Sequence, residues 1–296
     1  MATAAQWIAG ARLRTLPAAV APVIIGSAAA FDLHAFHPLN AVLAAFVALL
    51  LQIGVNYAND YSDGIRGTDN DRVGPLRLTG SGAARPQQVK MAAFGCFALA
   101  MLCGLGLVLL TQTWWFLLVG AGCVLAAWGY TGGKNPYGYM GLGDLFVFVF
   151  FGLVATLGTT YTQAGRISTV AIIGAIGTGL IACALLMANN VRDIPTDKEV
   201  GKKTLAVRLG DKHARESYVL MIAVALLLVI VVAPTHPWLL VVLVLTPACL
   251  MPCWVMLTGR QRKNLIPVLK QTGLINLGYS VLFAVGLILQ HTLTGT

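Results

Sequence analysis

The sequence predicts an all-α integral membrane protein that crosses the bilayer about nine times. Three observations support this prediction: the composition, the lengths of the apolar runs and the one-sided distribution of charge. Of the 296 residues, 57% are hydrophobic and 10% are charged, and the mean hydropathy is +0.78. Soluble domains carry about 25% charged residues and bury at most about three quarters of their surface. Part of this apolar surface is therefore expected to face lipid.

Apolar runs of about 20 residues are long enough to cross the hydrocarbon layer as helices. Nine such runs are predicted, at 16–32, 40–60, 89–110, 114–130, 142–161, 169–191, 217–233, 237–257 and 272–291. Pro22, Pro247 and Pro252 fall inside these runs and predict kinks, which neighbouring helices accommodate. We expect a single domain over residues 1–296, and the N-terminal segment lacks the pattern of a signal peptide.

The basic residues predict the orientation of the chain. With nine crossings, all of the 20 Lys and Arg residues except Arg166 fall on the side of the N-terminus. The positive-inside rule makes that side cytoplasmic. We therefore expect a multi-pass protein of the cell inner (plasma) membrane, with its N-terminus in the cytoplasm and its C-terminus outside. The net charge of +9 reflects this orientation, and we expect no nucleic-acid partner.

The acidic residues gather on the same side as the basic ones. Of the 11 Asp and Glu residues, all but Asp32 fall there. No topological rule places acids on one side of a membrane. We therefore expect them to belong to a functional site at the cytoplasmic face.

The second predicted helix ends in an Asn- and Asp-rich segment, residues 56–71. Four of its side chains carry oxygen atoms at helical spacing: Asn56, Asn59, Asp60 and Asp63. At 100° per residue these four fall within an arc of about 100°. Oxygen ligands of this kind suit Mg²⁺, whereas acids at a helix C-terminus are disfavoured by the helix dipole. The alternative is a solvated helix end whose acids pair with Arg66 and Arg72.

The sixth predicted helix ends in a second acidic segment, which runs from Asn189 to Lys202. Asp193 and Asp197 are four residues apart, but Pro195 lies between them and predicts a break in the helix. A long loop is also expected between the predicted spans, over 192–216. Acids that hold a metal, beside lysines that bind phosphate, would form a diphosphate site. The alternative is a charged loop of mixed sign.

A third segment, residues 130–144, is rich in glycine and tyrosine. It contains Tyr130, Tyr137 and Tyr139 together with Lys134. This composition suits the wall of a substrate site. Tyrosine is also an ordinary anchor at a membrane interface, which is the alternative interpretation.

The two acidic motifs resemble those of the UbiA superfamily of membrane prenyltransferases. They read N-x-x-N-D-x-x-D from Asn56 to Asp63 and D-x-x-x-D-x-x-x-G-K from Asp193 to Lys202. The segments 11–26, 59–82, 130–152 and 189–210 are similar to the branch that acts on 1,4-dihydroxy-2-naphthoate. Ubiquinone-branch members more often have D-x-x-x-D in the first motif, where this chain has Gly64. Either Asp63 or Asp69 could then complete the first metal site.

The resemblance implies a UbiA-type helical bundle that binds a polyprenyl diphosphate taken from the lipid bilayer and an aromatic acceptor. It implies Mg²⁺, with two ions expected, held by Asp60, Asp63, Asp193 and Asp197. It adds Lys134 as a catalytic residue and the following as substrate-binding residues: Asn56, Asn59, Asp69, Arg14, Arg72, Arg77, Tyr130, Tyr137, Tyr139, Asn189 and Lys202. In the naphthoate branch the acceptor loses CO₂, which gives demethylmenaquinol in menaquinone biosynthesis. Arg14 and Lys134 are the candidates to bind the acceptor carboxylate.

Three alternatives stay open at the level of sequence. Within the superfamily the acceptor could differ, for example 4-hydroxybenzoate. A polytopic secondary transporter would also carry polar residues in its helices, although usually near the bilayer midplane, whereas here they are predicted at the cytoplasmic ends. A structural membrane subunit is the third alternative.

Overall fold

The computed structural model describes residues 2–67, 76–260 and 262–294. Within these ranges all regular secondary structure is helical, and turns and loops connect the helices. The ten helices are α1 (Ala4–Gly10), α2 (Leu16–Asp32), α3 (Pro38–Arg66), α4 (Pro86–Thr111), α5 (Phe116–Gly129), α6 (Gly143–Ala164), α7 (Thr169–Glu199), α8 (Leu205–Val232), α9 (Pro237–Leu257) and α10 (Lys263–Leu293). Short 3₁₀ turns lie at Leu13–Thr15 and Tyr137–Met140. The middle of α6 is a π-helix, and the first part of α9 is a 3₁₀ helix.

The expected membrane helices are present. In the described part of the chain, eight helical segments are long and apolar enough to cross a bilayer, with α1 and α2 counted as one segment. The ninth predicted span, 114–130, is the 14-residue helix α5. At 1.5 Å per residue this helix is roughly 21 Å long, shorter than the roughly 30 Å hydrocarbon layer. The all-α membrane class is confirmed, and the count of nine holds when the short α5 is included.

The prediction of a long loop over 192–216 is wrong. Helix α7 continues to Glu199, and α8 begins at Leu205. Pro195 lies inside α7, where it removes only one backbone hydrogen bond, and the buried side chains of Val191 and Ile194 pack this turn into the core. Asp193 and Asp197 therefore lie on one continuous helix.

The core of the described residues has two main parts, besides a small cluster of Val23, Ala44 and Leu107 between α2, α3 and α4. The larger part joins α2, α7, α8, α9 and α10, and includes the fully buried side chains of Ile25, Ile181, Tyr218 and Phe283. The smaller part lies mainly between α3 and α4 and includes Tyr57, Leu78, Val89 and Phe97. Helices of both parts contribute to the cavity described below.

Helices α6 and α7 approach each other closely at two glycines. A Cβ atom on Gly152 would lie 2.7 Å from the Cα of Gly179 and 2.9 Å from the carbonyl oxygen of Ala175. Small residues allow membrane helices to pack backbone against backbone. The contact fixes α7, which carries the second acidic motif, against the helix that follows the Tyr-rich segment.

Candidate active site

A cavity of about 1300 Å³ lies among α1–α7 and α10. Much of its wall is apolar, with side chains such as Val23, Leu51, Leu107, Phe150 and Val154. Its polar lining includes Asn56, Asn59 and Asp63 near the C-terminal end of α3, Asn189 and Arg192 near that of α7, and Lys202 just after α7. The same cavity therefore has a polar part, with oxygen-bearing and cationic side chains, and an apolar part.

Three residues of the first acidic motif line this cavity. Asn56 Nδ2 donates to the carbonyl oxygen of Ala11 at 2.9 Å. Asn59 Oδ1 accepts a hydrogen bond from the hydroxyl of Thr131 at 2.7 Å, and Asp63 Oδ1 accepts one from the hydroxyl of Tyr139 at 2.8 Å. These bonds hold the three side chains in fixed orientations.

Asp60 departs from the expected arrangement. It is fully buried, and its two carboxylate oxygens accept the backbone N–H groups of Leu78 and Thr79 at 2.7 Å and 2.8 Å. The next turn of α3 carries Gly64, where a Cβ atom would lie 2.5 Å from Thr79 Cγ2. Asn59 and Asp63 line the cavity, whereas Asp60 does not belong to the described wall. Asp60 thus anchors the segment around Leu78 to α3 and does not share the cavity face.

The second acidic motif is held by its own basic residues. Arg192 binds Asp193 through two hydrogen bonds, Nε to Oδ1 and Nη2 to Oδ2, both 2.7 Å long. Its Nη2 also donates to Asn189 Oδ1 at 2.8 Å. Lys202 Nζ lies 3.7 Å from Asp197 Oδ1. Asn189, Asn190, Arg192 and Lys202 of this motif line the cavity. Asp193 and Asp197 do not belong to the described wall, and they contact Arg192 and Lys202.

The Tyr-rich segment supplies two rings to the cavity wall. Tyr130 and Tyr137 line it, and Tyr137 stacks on Phe146 at a centroid distance of 4.0 Å. Burial raises the pKa of Tyr130, and the nearby carboxylate of Asp144 raises it further; burial also raises the pKa of Tyr137. Both phenols are therefore neutral at physiological pH and suited to stacking or hydrogen bonding rather than to accepting a proton.

The remaining predicted residues divide into three groups. Arg14 and Arg77 line the cavity. Lys134 is exposed, and neither Lys134 nor Tyr139 belongs to the described cavity wall. Asp69 and Arg72 lie outside the described residues, so the choice between Asp63 and Asp69 for the first metal site stays a prediction.

Sequence reasoning missed several polar residues of the wall: Arg12, Thr15, Gln52, Thr131, Lys263 and Lys270. Gln52 had a usable signal, because it is a polar residue inside a predicted span, where polar groups are functional by default. Lys263 and Lys270 had none, since in sequence they are ordinary charges near the start of a helix. Only the packing of α10 brings them to the cavity.

The residues around the polar part of the cavity fit a hard cation that also binds substrate. Asn59 and Asp63 present oxygen atoms on the wall, and Asp197 lies beside Lys202. Mg²⁺ usually takes one or two protein carboxylates and completes its shell with water and phosphate oxygens. Within residues 2–67, 76–260 and 262–294, no three His, Cys, Asp or Glu side chains come close enough to hold a metal by themselves. The donor set therefore suits an ion shared with a phosphate ligand.

Comparison with known families matches residues 19–290 to the UbiA prenyltransferase family. The chain belongs to this family. The resemblance seen in the two acidic motifs is thereby confirmed, and so is the expectation of an enzyme over a transporter or a structural subunit.

Similar proteins match from about 70% to nearly all of the chain. The 1,4-dihydroxy-2-naphthoate octaprenyltransferase of Mycobacterium tuberculosis is 53% identical, over 96% of this chain and 97% of its own length. The proteins of the same name from Escherichia coli and Bacillus subtilis are 45% and 28% identical, over 71% and 95% of this chain and 70% and 91% of their own lengths.

Solved UbiA structures share the fold. A UbiA homologue from Aeropyrum pernix superposes with a TM-score of 0.69 at 18% identity, over 92% of this chain and 97% of its own. A UbiA homologue from Archaeoglobus fulgidus, bound to GPP and Mg²⁺, gives a TM-score of 0.65 at 16% identity, over 97% and 99%. These likenesses establish a UbiA-type helical bundle.

Proposed function

We propose that this UbiA family enzyme transfers a polyprenyl chain from polyprenyl diphosphate to 1,4-dihydroxy-2-naphthoate, with loss of CO₂, to give demethylmenaquinol for menaquinone biosynthesis. The main support for the proposal is the cavity, which contains both polar residues from the ends of α3 and α7 and a large apolar wall. The apolar wall suits an isoprenoid chain, and the polar residues suit a diphosphate. The naphthoate acceptor is supported by the relatives of that name, which are up to 53% identical.

The donor diphosphate is proposed to bind where the two acidic motifs meet. Asp63 and Asn59 on α3 supply oxygen ligands on the cavity wall. Asp197 on α7 is not part of that wall, but its Oδ1 lies 3.7 Å from Lys202 Nζ, which is, so Asp197 would serve a second Mg²⁺ ion at the edge of the site. When bound, Mg²⁺ neutralises the charge that develops on the leaving diphosphate. Lys202 and Arg192 lie on the same wall and would hold outer phosphate oxygens. In this proposal Asp60 and Asp193 support the site through Leu78, Thr79 and Arg192 and do not act as first ligands.

The reaction balances without a net proton acceptor. The carbon–oxygen bond of the donor breaks, and its electron pair leaves with the diphosphate. The ring carbon that bears the carboxylate then bonds to the allylic carbon. Loss of that carboxylate as CO₂ returns an electron pair to the ring and restores its aromaticity. The neutral rings of Tyr130 and Tyr137 would stabilise the positive charge on the allylic carbon through their faces.

The acceptor carboxylate is proposed to bind Arg14. Of the two candidates from the sequence, Arg14 lines the cavity, whereas Lys134 is exposed. A guanidinium group binds a carboxylate through two parallel hydrogen bonds. Lys263 and Lys270 line the same cavity and add positive charge from α10.

We further propose that the chain is a single domain in the plasma membrane, with the polar part of the cavity at the cytoplasmic face. The charge distribution supports this orientation, since all Lys and Arg residues except Arg166 fall on the side of the N-terminus. Both substrates are then accessible: the diphosphate and the naphthoate from the cytoplasm, and the isoprenoid tail from lipid.

The proposal is tested with purified protein in lipid, given Mg²⁺, a polyprenyl diphosphate and 1,4-dihydroxy-2-naphthoate, with mass detection of the product. A prenylated and decarboxylated naphthoquinol is expected, and EDTA should abolish it. Product with 4-hydroxybenzoate but not with naphthoate would keep the family and reject the acceptor. In the same assay Arg14→Gln should raise the KM for naphthoate and leave the KM for the diphosphate unchanged.

A further inference from the structure

Tyr139 contacts both acidic motifs. Its hydroxyl donates to Asp63 Oδ1 at 2.8 Å, at the end of α3. Its carbonyl oxygen accepts the backbone N–H of Lys203 at 3.0 Å, and the ammonium group of Lys202 lies 5.0 Å from the centre of its ring. One residue thus connects the end of α3 to the segment that follows α7.

The backbone around Tyr139 is held in place on the side of α8. Arg208 Nη2 donates to the carbonyl oxygen of Met140 at 2.7 Å. The next residue, Gly141, has a φ of 80°, and a Cβ atom there would lie 2.6 Å from Arg208 Nε. A side chain at position 141 would therefore both strain the backbone and displace the arginine.

The start of the same segment is held on the side of α3. The guanidinium of Arg66 donates to the carbonyl oxygens of Thr131 and Gly133, and its Cζ lies 5.2 Å from the centre of the Tyr139 ring. The hydroxyl of Thr131 donates to Asn59 Oδ1 at 2.7 Å. The segment is thus fixed at both ends, and Tyr139 cannot move independently of α3 or of the Lys202–Lys203 segment.

We propose that Tyr139 is a positioning residue that couples the two halves of the diphosphate site. Its hydroxyl orients the Asp63 carboxylate toward the cavity, and its ring orients the Lys202 ammonium. Tyr139 itself does not belong to the described cavity wall, so it acts through these two neighbours and not by contact with the prenyl cation. The inference rests on the proposed function, because it assumes that Asp63 meets a metal and Lys202 a phosphate.

Two substitutions separate the two roles. Tyr139→Phe removes the hydroxyl and keeps the ring, so it should weaken metal binding alone. Outer hydrogen bonds to metal ligands are worth about tenfold or more in metal affinity. Tyr139→Leu removes the ring as well, so it should also weaken diphosphate binding, by a further factor of about three as the cation–π contact is lost.

The first readout is metal binding, measured by the EPR signal of Mn²⁺ titrated into purified full-length protein with geranyl diphosphate and no acceptor. Tyr139→Phe should raise the Mn²⁺ dissociation constant by about tenfold. In turnover, it should raise the Mg²⁺ concentration for half-maximal rate, while kcat at saturating Mg²⁺ and the KM for geranyl diphosphate stay near wild type. Tyr139→Leu should raise that KM too.

Tyr161→Phe is the matched control, because Tyr161 packs on Trp115 and Phe116 at the other end of α6. The Tyr161→Phe variant should bind Mn²⁺ as the wild-type protein does.

A double variant guards against a general loss of folding. Adding Tyr139→Phe to Asp63→Asn should cause little further loss of Mn²⁺ affinity if the hydroxyl acts through Asp63. Wild-type Mn²⁺ affinity in Tyr139→Phe, or full additivity in the double variant, would overturn the inference. Absence of Mn²⁺ binding by the wild-type protein would instead count against the proposed function.

Discussion

Single residues of the first acidic motif differ in role although the sequence presents them as one set. Asp60 and Asp63 are one turn apart on α3, yet Asp60 accepts two backbone N–H groups and is fully buried, whereas Asp63 lines the cavity. Helical spacing predicts that they share a face. It cannot predict which of them the segment around Leu78 covers, because that depends on where the chain returns after α3.

This difference predicts separate effects of charge neutralisation. Asp60→Asn places an amide N–H against the N–H of Leu78 or Thr79, and an unsatisfied buried donor costs about 1–3 kcal/mol. Its thermal unfolding temperature in detergent should fall. Asp63→Asn should unfold near the wild-type temperature but need more Mg²⁺ for activity. A fall in unfolding temperature for Asp63→Asn equal to that for Asp60→Asn would show that both aspartates are structural.

At the scale of elements, the helix ends decide where the motifs lie. Pro195 predicts a break, but α7 continues to Glu199 because the buried side chains of Val191 and Ile194, just before the proline, hold that turn in the core. The close contact of α6 with α7 at Gly152 and Gly179 then sets the position of the second motif relative to the Tyr-rich segment. These glycines carry no distinguishing pattern in a sequence that contains 32 of them.

The helix contact predicts opposite effects for two glycine substitutions. In Gly152→Ala the new Cβ meets backbone atoms at 2.7 Å and 2.9 Å, which cannot move aside, and overpacking of this kind costs about 1–3 kcal/mol. In Gly122→Ala, on α5, the new Cβ meets nothing within 4 Å. Alanine is there favoured over glycine in a helix by about 0.5–1 kcal/mol. The thermal unfolding temperature should therefore fall for Gly152→Ala and stay level or rise for Gly122→Ala. Equal shifts in the two variants would contradict the close contact of α6 with α7.

At the scale of the whole molecule, the cavity joins parts of the chain that are far apart in sequence. Arg14, Asp63, Tyr130, Lys202 and Lys270 all lie on its wall. The proposed orientation places its polar part at the cytoplasm, so charged substrates need not cross the bilayer, while the isoprenoid remains in an apolar environment.

The orientation predicts which loops a membrane-impermeant maleimide reaches in intact cells. Arg166 and Glu199 are both exposed, at opposite ends of α7 and its preceding loop. Arg166→Cys should be labelled in intact spheroplasts, and Glu199→Cys only after the membrane is opened. The wild-type chain, with its six native cysteines, is the blank. Labelling of Glu199→Cys in intact cells would reverse the proposed orientation.

Much of the site could be predicted from local pattern. Asn56, Asn59 and Asp63 are predicted from helical spacing at the end of an apolar run, and Asn189 and Lys202 from the second motif and its resemblance; the structure places all five on the cavity wall. Asp193 could not be distinguished from them, because its bidentate pairing with Arg192 depends on side-chain geometry. Tyr139 was predicted to bind substrate, whereas the structure places its hydroxyl on Asp63.

The sequence by itself determined the membrane class, the approximate number of helices and the two acidic motifs, because hydropathy and helical spacing are local properties of the chain. Only the tertiary structure decided which oxygens face the cavity, that α7 continues through Pro195, and that Tyr139 joins the two motifs. Those outcomes depend on contacts between residues 18 to 76 positions apart in the chain, such as Asp60 with Leu78 and Tyr139 with Asp63. No local pattern encodes such contacts, since they exist only once the helices have packed.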